Sequence, residues 1–334
     1  MEPLQLLLQQ QHLSFGQAHS LFLNIMRGQL SEIELTAALM ALKFKGETAA
    51  EIAGAAQAMR DNANHFDTLQ LEVADSCGTG GDGSNTINVS TTAAIVASAC
   101  GINMVKHGNR SVSSKSGSAD LLKALGINID MTPEQAQHCL TATGFTFLFA
   151  PHYHSGVKHA MPVRTALKTR TIFNILGPLA NPAQPQVQLL GVYDPSLLLP
   201  MAETLQQLGT ARAMVVHGSG TDEIALHGDT LVAEVNHDEI KQYTLSASDF
   251  GLENYSLAAI AGDTPQYNAK ASLAILNGEG SAAHNAAIIA NVAALLVLSD
   301  KASDFKQASE MVQEVLMTKQ AMATLANIVE VSNG

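Results

Sequence analysis

Two segments bring glycine, hydroxyl and cationic residues together in a spacing suited to holding an anion. The first, Asp75 to Ser98, reads DSCGTGGDGSNTINVSTTAAIVAS, and the second, Lys106 to Asp120, reads KHGNRSVSSKSGSAD. Gly78, Gly80 and Gly83 satisfy the G-x-G-x-x-G dinucleotide fingerprint, but that fingerprint also wants an acidic residue about 20 positions on for the ribose hydroxyls. Between Asp82 and Asp120 there is no Asp or Glu, so a nicotinamide-binding unit fails its own criterion. A P-loop fails too, because no Gly-Lys-Ser/Thr leads into the following helix. The acid-free interval instead holds Lys106, His107, Arg110 and Lys115. Each segment precedes an expected helix, whose unpaired N–H groups and dipole favour an anion. Glycines and serines also make turns and caps with no ligand at all. Two such loops close together, with cations only between them, point to a ligand carrying separate phosphate groups.

Three other groups have chemical potential. The Asp222-Glu223 pair follows the apolar ARAMVV stretch and a glycine-rich turn, and offers hard oxygen ligands suited to Mg²⁺. An acidic dipeptide in that place is otherwise a solvated loop or a helix start. Arg164, read by itself, is a surface or interdomain salt-bridge residue. His152, His154 and His159 in HYHSGVKH suggest a transition-metal site, but no Cys or acid stands at zinc-site spacing, so pocket lining or helix-end histidines are the better reading.

The elements that must position these residues are legible from caps and periodicity. Capping boxes at Ser14/Gln17, Ser31/Glu34 and Thr48/Glu51 make the first 65 residues helical, with Gly28 and Gly46 as stops. Such helices, each with one apolar stripe, must pack on one another or on a partner chain. From about Leu71, short apolar strands alternate with helices, as in INMVKHG then ADLLKALG, VQLLGVY then DPSLLLPMAETLQQLG, and ARAMVVHG. That alternation predicts an α/β architecture: a small all-helical domain plus a larger α/β domain, with a central mixed, mainly parallel sheet covered by helices.

A chain of 334 residues with 46% apolar and 14% charged residues is a folded globular protein. The net charge of -12 argues against nonspecific nucleic-acid binding, which needs clustered cations. Cys77, Cys100 and Cys139 form no Cys-x-x-Cys pair, and the amino terminus lacks the features of a secretory signal, so a cytoplasmic location is expected. The longest apolar run, Ala286 to Leu298, is interrupted by Asn291 and falls short of the roughly 18 to 20 residues that span a bilayer. No membrane association is expected.

GTGGDGSNTINVST, KHGNRSVSSKSGSADLLKALG, PVRTALKTRTIFNILGPLANP and HGSGTDEI resemble, in order and over nearly the whole chain, the signature segments of the anthranilate phosphoribosyltransferases. The resemblance implies transfer of a phosphoribosyl group from phosphoribosyl pyrophosphate to the amine of anthranilate, releasing pyrophosphate, in tryptophan biosynthesis. It implies a helical domain over residues 1–65, completed by a segment near 155–180, and an α/β domain over 70–334, with the site in the cleft between. Phosphoribosyl pyrophosphate contacts would be Gly78, Gly81, Asp82, Thr86, Asn88, Val89, Ser90, Thr91, Lys106, His107, Gly108, Asn109, Arg110, Ser111, Val112, Ser113, Ser114 and Ser118. Anthranilate contacts would be Gly78, Asn109 and Arg164, with His107, His154 and Pro178 as pocket neighbours. Ser90, Asp222 and Glu223 would hold Mg²⁺, two ions per site, and the helical domain would form a homodimer. The aniline nitrogen is neutral at pH 7, so no general acid or base is assigned; the expected mechanism is positioning plus charge stabilisation, with Mg²⁺ and Lys106 drawing off the pyrophosphate.

Two departures from the family pattern stand out: HSGVKH replaces the usual His-Pro-Ala-Met-Lys-His, and SAAHNAAIIANVAALL lacks an Arg-Asp pair. Neither touches the phosphate loops or the acidic pair. A pyrimidine nucleoside phosphorylase would share the phosphate segment but would need no Asp-Glu pair. A noncatalytic nucleic-acid-binding relative would show a basic groove and would lack Asn109 and Arg164.

Overall fold

The computed structural model describes residues 2–110 and 115–334. Ser111, Val112, Ser113 and Ser114 of the second candidate loop lie outside the described residues.

Four helices open the chain: α1 (Pro3–Leu8), α2 (Phe15–Met26), α3 (Glu32–Lys45) and α4 (Ala49–Asp61). The last three begin at complete capping boxes, because Ser14, Ser31 and Thr48 each accept an N–H from the first turn and receive a side chain in return. Glu51 does more than cap: buried, it accepts the N–H of Leu13 and the ammonium of Lys45, both at 2.8 Å, and so ties three elements.

The α/β part follows as β1 (Ala74–Gly78), α5 (Val89–Ala99), β2 (Met104–Gly108), α6 (Ser118–Ala124), α7 (Pro133–Thr143), β3 (Phe145–Phe149), α8 (Ala150–Tyr153), α9 (Met161–Leu167), α10 (Phe173–Leu176), β4 (Val187–Gly191), α11 (Leu198–Gln207), β5 (Arg212–Gly218), β6 (Thr230–Asn236) and β7 (Glu239–Leu245). Four helices close the chain: α12 (Pro265–Leu276), α13 (Ala282–Leu298), α14 (Phe305–Met317) and α15 (Gln320–Asn333).

The seven-stranded sheet runs β3-β2-β1-β4-β5-β6-β7. The first five strands are parallel, and β6 and β7 add an antiparallel hairpin. Strand order reverses between β1 and β4, and the crevice beyond the carboxyl ends of strands at such a point is where open α/β sheets bind ligands. Behind it, α5 and α13 are buried almost throughout, since their alanines let backbones approach closely while neighbouring isoleucines and leucines fill the gaps. A second core joins α2, α3 and α4 to Ala160, Val163, Ile172 and Phe173, and to the opposite face of β4 and β5. No helix among the described residues is long and apolar enough to cross a membrane.

Candidate active site

Strands β1, β4 and β5 each end in glycine, and the acidic pair needs all three. A Cβ on Gly191 would lie 1.6 Å from the Asp222 carbonyl oxygen, one on Gly78 would lie 2.2 Å from Asp222 Oδ2, and one on Gly218 would lie 2.2 Å from the Glu223 carbonyl oxygen. Only bare backbone lets the turn after β5 fold across the strand ends. Mutual hydrogen bonds between Gly218 and Thr221, 3.0 and 3.1 Å, close that turn. Asp222 Oδ2 then accepts the Gly80 N–H at 2.7 Å, and the Asp222 N–H donates to Asp82 Oδ2 at 3.4 Å.

The arrangement concentrates negative charge. Asp222 and Glu223 keep only part of their surface open to solvent. Burial, then the neighbouring Asp82 carboxylate, pushes the Asp222 carboxyl up to about 7. Burial and then Asp222 push Glu223 well above the ordinary carboxylate range, against the opposing pull of Lys106 and a hydrogen bond from the Ser90 N–H. Buried carboxylates that repel one another call for a cation. Among the described residues no three His, Cys, Asp or Glu side chains converge into a ready-made cage. An ion here would therefore complete its shell with the Ser90 hydroxyl, water or ligand oxygens, as suits Mg²⁺, which keeps waters and binds through one or two carboxylates plus phosphate.

Lys106 departs from the expectation. Its side chain is 1% exposed, its ammonium donates to the Ser76 carbonyl oxygen, and Ser90 Oγ lies 3.4 Å away. Held inside the sheet beside Ser90, it balances the carboxylates of Glu223 and Asp75. Asp75 is itself buried, with Asn181 Nδ2 donating to it at 2.9 Å and to the Val105 carbonyl at 2.8 Å.

The two loops are physically joined. Asn88 Nδ2 donates to the Ser116 carbonyl at 3.0 Å, while Asn88 Oδ1 accepts from Ser116 Oγ at 3.0 Å and from Asn268 Nδ2 at 2.8 Å. The Asn88 side chain is thus committed to joining loops, and the Val89 and Thr91 side chains are buried in the core. At these three positions only backbone can face a ligand, where the N-terminal turn of α5 carries no side-chain cap. Thr86 bridges to Ala261 in an isolated antiparallel pair. Gly108 leaves room for Phe147 and Ser118, to which a Cβ would come within 3.0 and 3.2 Å. Asn109 Oδ1 accepts the Arg110 N–H at 2.7 Å, and the Arg110 guanidinium sits 5.7 Å from the Phe149 ring centre and 3.4 Å from Asp120.

Helix α9, whose Val163 joins the helical core, carries Arg164, whose guanidinium lies 5.0 Å from the Phe173 ring centre. Among the described residues it makes no ion pair; burial lowers its pKa, leaving a partly desolvated cation with donors to spare. The His107 and His154 rings meet edge to face at 5.0 Å, and neither Nε2 has a hydrogen-bond partner among the described residues. Burial, then His154, holds His107 down at about 3, while burial holds His154 at about 4. Next to the Gly177 carbonyl that bonds His107, Pro178 is buried and its own carbonyl accepts from Gln188 Nε2 at 2.6 Å. The three histidines do not converge: His152 lies against Phe149 and 3.4 Å from Asp130, and His159 lies where a side chain on Gly28 would go. A cavity of about 250 Å³ beside Asp130, His152 and Tyr153 lies outside this constellation.

Sequence reasoning missed Asp75, Asn181, Tyr193 and Arg170. Arg170 donates to the Gly81 carbonyl oxygen and stacks 3.9 Å from the Tyr193 ring centre. Its only signal was its place inside KTRTIFN, which names no partner.

Known proteins share this sequence and fold. Residues 2–63 match the helical bundle domain, and residues 70–322 the a/b domain, of a glycosyl transferase family. The anthranilate phosphoribosyltransferase of Pseudoalteromonas translucida is 68% identical over 328 residues, spanning 98% of this chain and 92% of that protein. That of Colwellia psychrerythraea is 56% identical, spanning 95% and 87%. Among solved structures, the Thermus thermophilus anthranilate phosphoribosyltransferase superposes with a TM-score of 0.95 at 37% identity, covering 100% of both chains. The Saccharomyces cerevisiae enzyme in complex with PRPP and Mg superposes with a TM-score of 0.88 at 30% identity, covering 96% and 94%.

Proposed function

This chain belongs to the family of anthranilate phosphoribosyltransferases, and from that membership we propose how its residues divide the reaction. The enzyme transfers the phosphoribosyl group of phosphoribosyl pyrophosphate to the amine of anthranilate, a step of tryptophan biosynthesis. The bond from the anomeric carbon to the pyrophosphate oxygen breaks as the aniline lone pair forms the new carbon–nitrogen bond, and the nitrogen then gives up one proton to solvent or to the departing pyrophosphate.

Backbone amides of Gly81, Asp82 and the first turn of α5, together with Thr86, the loop Gly108 to Ser114 and Ser118, bind and orient phosphoribosyl pyrophosphate. Its metal is Mg²⁺, which when bound neutralises charge building on the pyrophosphate; Ser90, Asp222 and Glu223 hold it, two ions to the site. Arg164 orients anthranilate through its carboxylate, with Gly78 and Asn109 beside the ring and His107, His154 and Pro178 excluding water. Imidazoles held near 3 and 4 are weak bases, which agrees with a neutral amine that needs none. The observation that carries this reading is the Asp222-Glu223 pair folded over Gly78 and Gly191 at the switch point, beside the glycine loop and Ser90.

The helical part comprises residues 1–65 with the segment near 155–180, the α/β part residues 70–334, and the protein acts in the cytoplasm as a homodimer. Ile33 and Phe44 of α3 support the dimer: they are 83% and 81% exposed and lie eleven positions apart, on one face of a 3.6-residue helix. Anthranilate fluorescence tests the function. Its decay on adding phosphoribosyl pyrophosphate, dependent on Mg²⁺ and matched by pyrophosphate release, is the expected result; a folded, substrate-binding protein showing no decay would overturn it.

A further inference from the structure

Residues 168–171 cross from one half of the molecule to the other within a few residues. Lys168 ends α9 in a left-handed conformation, φ 47°, which turns the chain out of the helix. Thr169 Oγ1 accepts the Lys43 ammonium of α3, so this point of the segment is held to the helical domain. The next residue, Arg170, reaches the other way and donates to the Gly81 carbonyl oxygen of the glycine loop. Its guanidinium also stacks on Tyr193, whose own N–H donates to Thr79 Oγ1 at 3.1 Å. The cation is therefore clamped between two points of one loop, Gly81 directly and Thr79 through Tyr193. Gly81 is suited to this, with φ +77° and a missing Cβ that would lie 3.1 Å from the guanidinium.

We propose that Arg170 is a positioning residue that latches the helical domain to the phosphate-holding loop. Holding the Gly81 carbonyl turns the Asp82 N–H of the same trans peptide to the opposite side of the loop, because C=O and N–H of a planar peptide point in opposite directions. A carbonyl dipole is thereby kept away from an incoming phosphate and an N–H is offered instead. Thr169 and Arg170 lie on the stretch that joins Arg164 to the loop, so the acceptor side and the donor side of the cleft share one mechanical link. Arg rather than Lys is required, since the planar guanidinium stacks and donates at once. This deepens the transfer reaction above and rests on it for its substrate.

The test is calorimetric binding of phosphoribosyl pyrophosphate with Mg²⁺, together with steady-state kinetics, on Arg170→Met, Arg170→Lys and Tyr193→Leu in the full-length enzyme. Loss of a charged hydrogen bond predicts that Arg170→Met raises both Kd and KM for phosphoribosyl pyrophosphate on the order of tenfold, with kcat within about threefold. Arg170→Lys should recover little of that loss, and adding Tyr193→Leu to Arg170→Met should cost less than the single changes predict by addition. An Arg170→Met protein that binds like wild type, or full recovery by Arg170→Lys, overturns the latch. If Arg170→Met does not fold, Arg170→Lys alone decides, because unchanged affinity there overturns it. A wild-type protein that never consumes anthranilate, yet shows an Arg170-dependent Kd, would sink the transfer reading and leave the latch standing.

Discussion

Gly78 and Gly191 face each other in register across β1 and β4, and Asp222 lies against both. Gly191 makes room for the Asp222 backbone, whereas Gly78 makes room for its carboxylate.

The two glycines should therefore fail differently. Gly191→Ala drives a methyl group into a backbone carbonyl that cannot rotate away, and should destabilise the fold by about 3 kcal/mol or more. Gly78→Ala meets a side chain that can swing, and should leave denaturant unfolding within about 1 kcal/mol of wild type while lowering turnover at least about tenfold. Equal stability losses in the two variants would contradict this division.

Asp222→Asn combined with Glu223→Gln should lose Mg²⁺-dependent turnover by about 100-fold or more. Without ligand it should melt on the order of 5 °C higher than wild type at pH 8, with a smaller gain at pH 5. The sign follows from the raised carboxyls: the folded state prefers them protonated, so wild type loses stability as pH rises from about 4 through about 7. Unchanged turnover in the double variant would sink the metal assignment.

Arg164→Ala should raise KM for anthranilate by about tenfold or more and leave KM for phosphoribosyl pyrophosphate unchanged. Arg164→Lys should recover only part of the loss, because a point charge cannot pair with both carboxylate oxygens. Equal changes in both KM values would mean that Arg164 supports the cleft in general.

The buried imidazoles act in the opposite pH sense to Asp222. His154 is held near 4 when folded, against about 6.5 when unfolded, so its contribution is present above 6.5 and is lost as pH falls toward 4. His154→Gln should become more stable relative to wild type by about 1.4 kcal/mol per pH unit across that window. Taking the difference between the two proteins cancels the carboxylates that titrate in the same range. A difference that does not vary with pH would show that His154 charges freely in the fold.

If the proposed homodimer forms through α3, Phe44→Glu should yield a monomer in sedimentation with little change in melting of each subunit, since Phe44 is 81% exposed in its own chain. A dimer that persists with both Ile33→Glu and Phe44→Glu would place the interface elsewhere.

Much of this was written locally. The three amino-terminal caps, the strand-then-helix alternation, the acid-free interval and the Asp222-Glu223 pair depend on residues a few positions apart, and short-range rules read those well. So did the resemblance to the family, carried by contiguous segments. Tertiary structure decided the rest, because it depends on strand order. That β1 lies beside β4 brings Asp82 to Asp222 across 140 positions, and no periodicity foretells that meeting. Lys106 reads in sequence as a free cation beside a phosphate loop; the sheet buries it against Ser76 and turns it into an internal counterion. Asn88 reads in sequence as a ligand contact; the fold also makes its side chain join the two loops through Ser116. Arg170 carries no local signal, since its role exists only where two halves of the chain come within reach. Local order was enough to mark which residues could bind charge; the sheet decided which of those charges stay open at the strand ends and which are spent holding one another, because burial and pairing are set by distant neighbours.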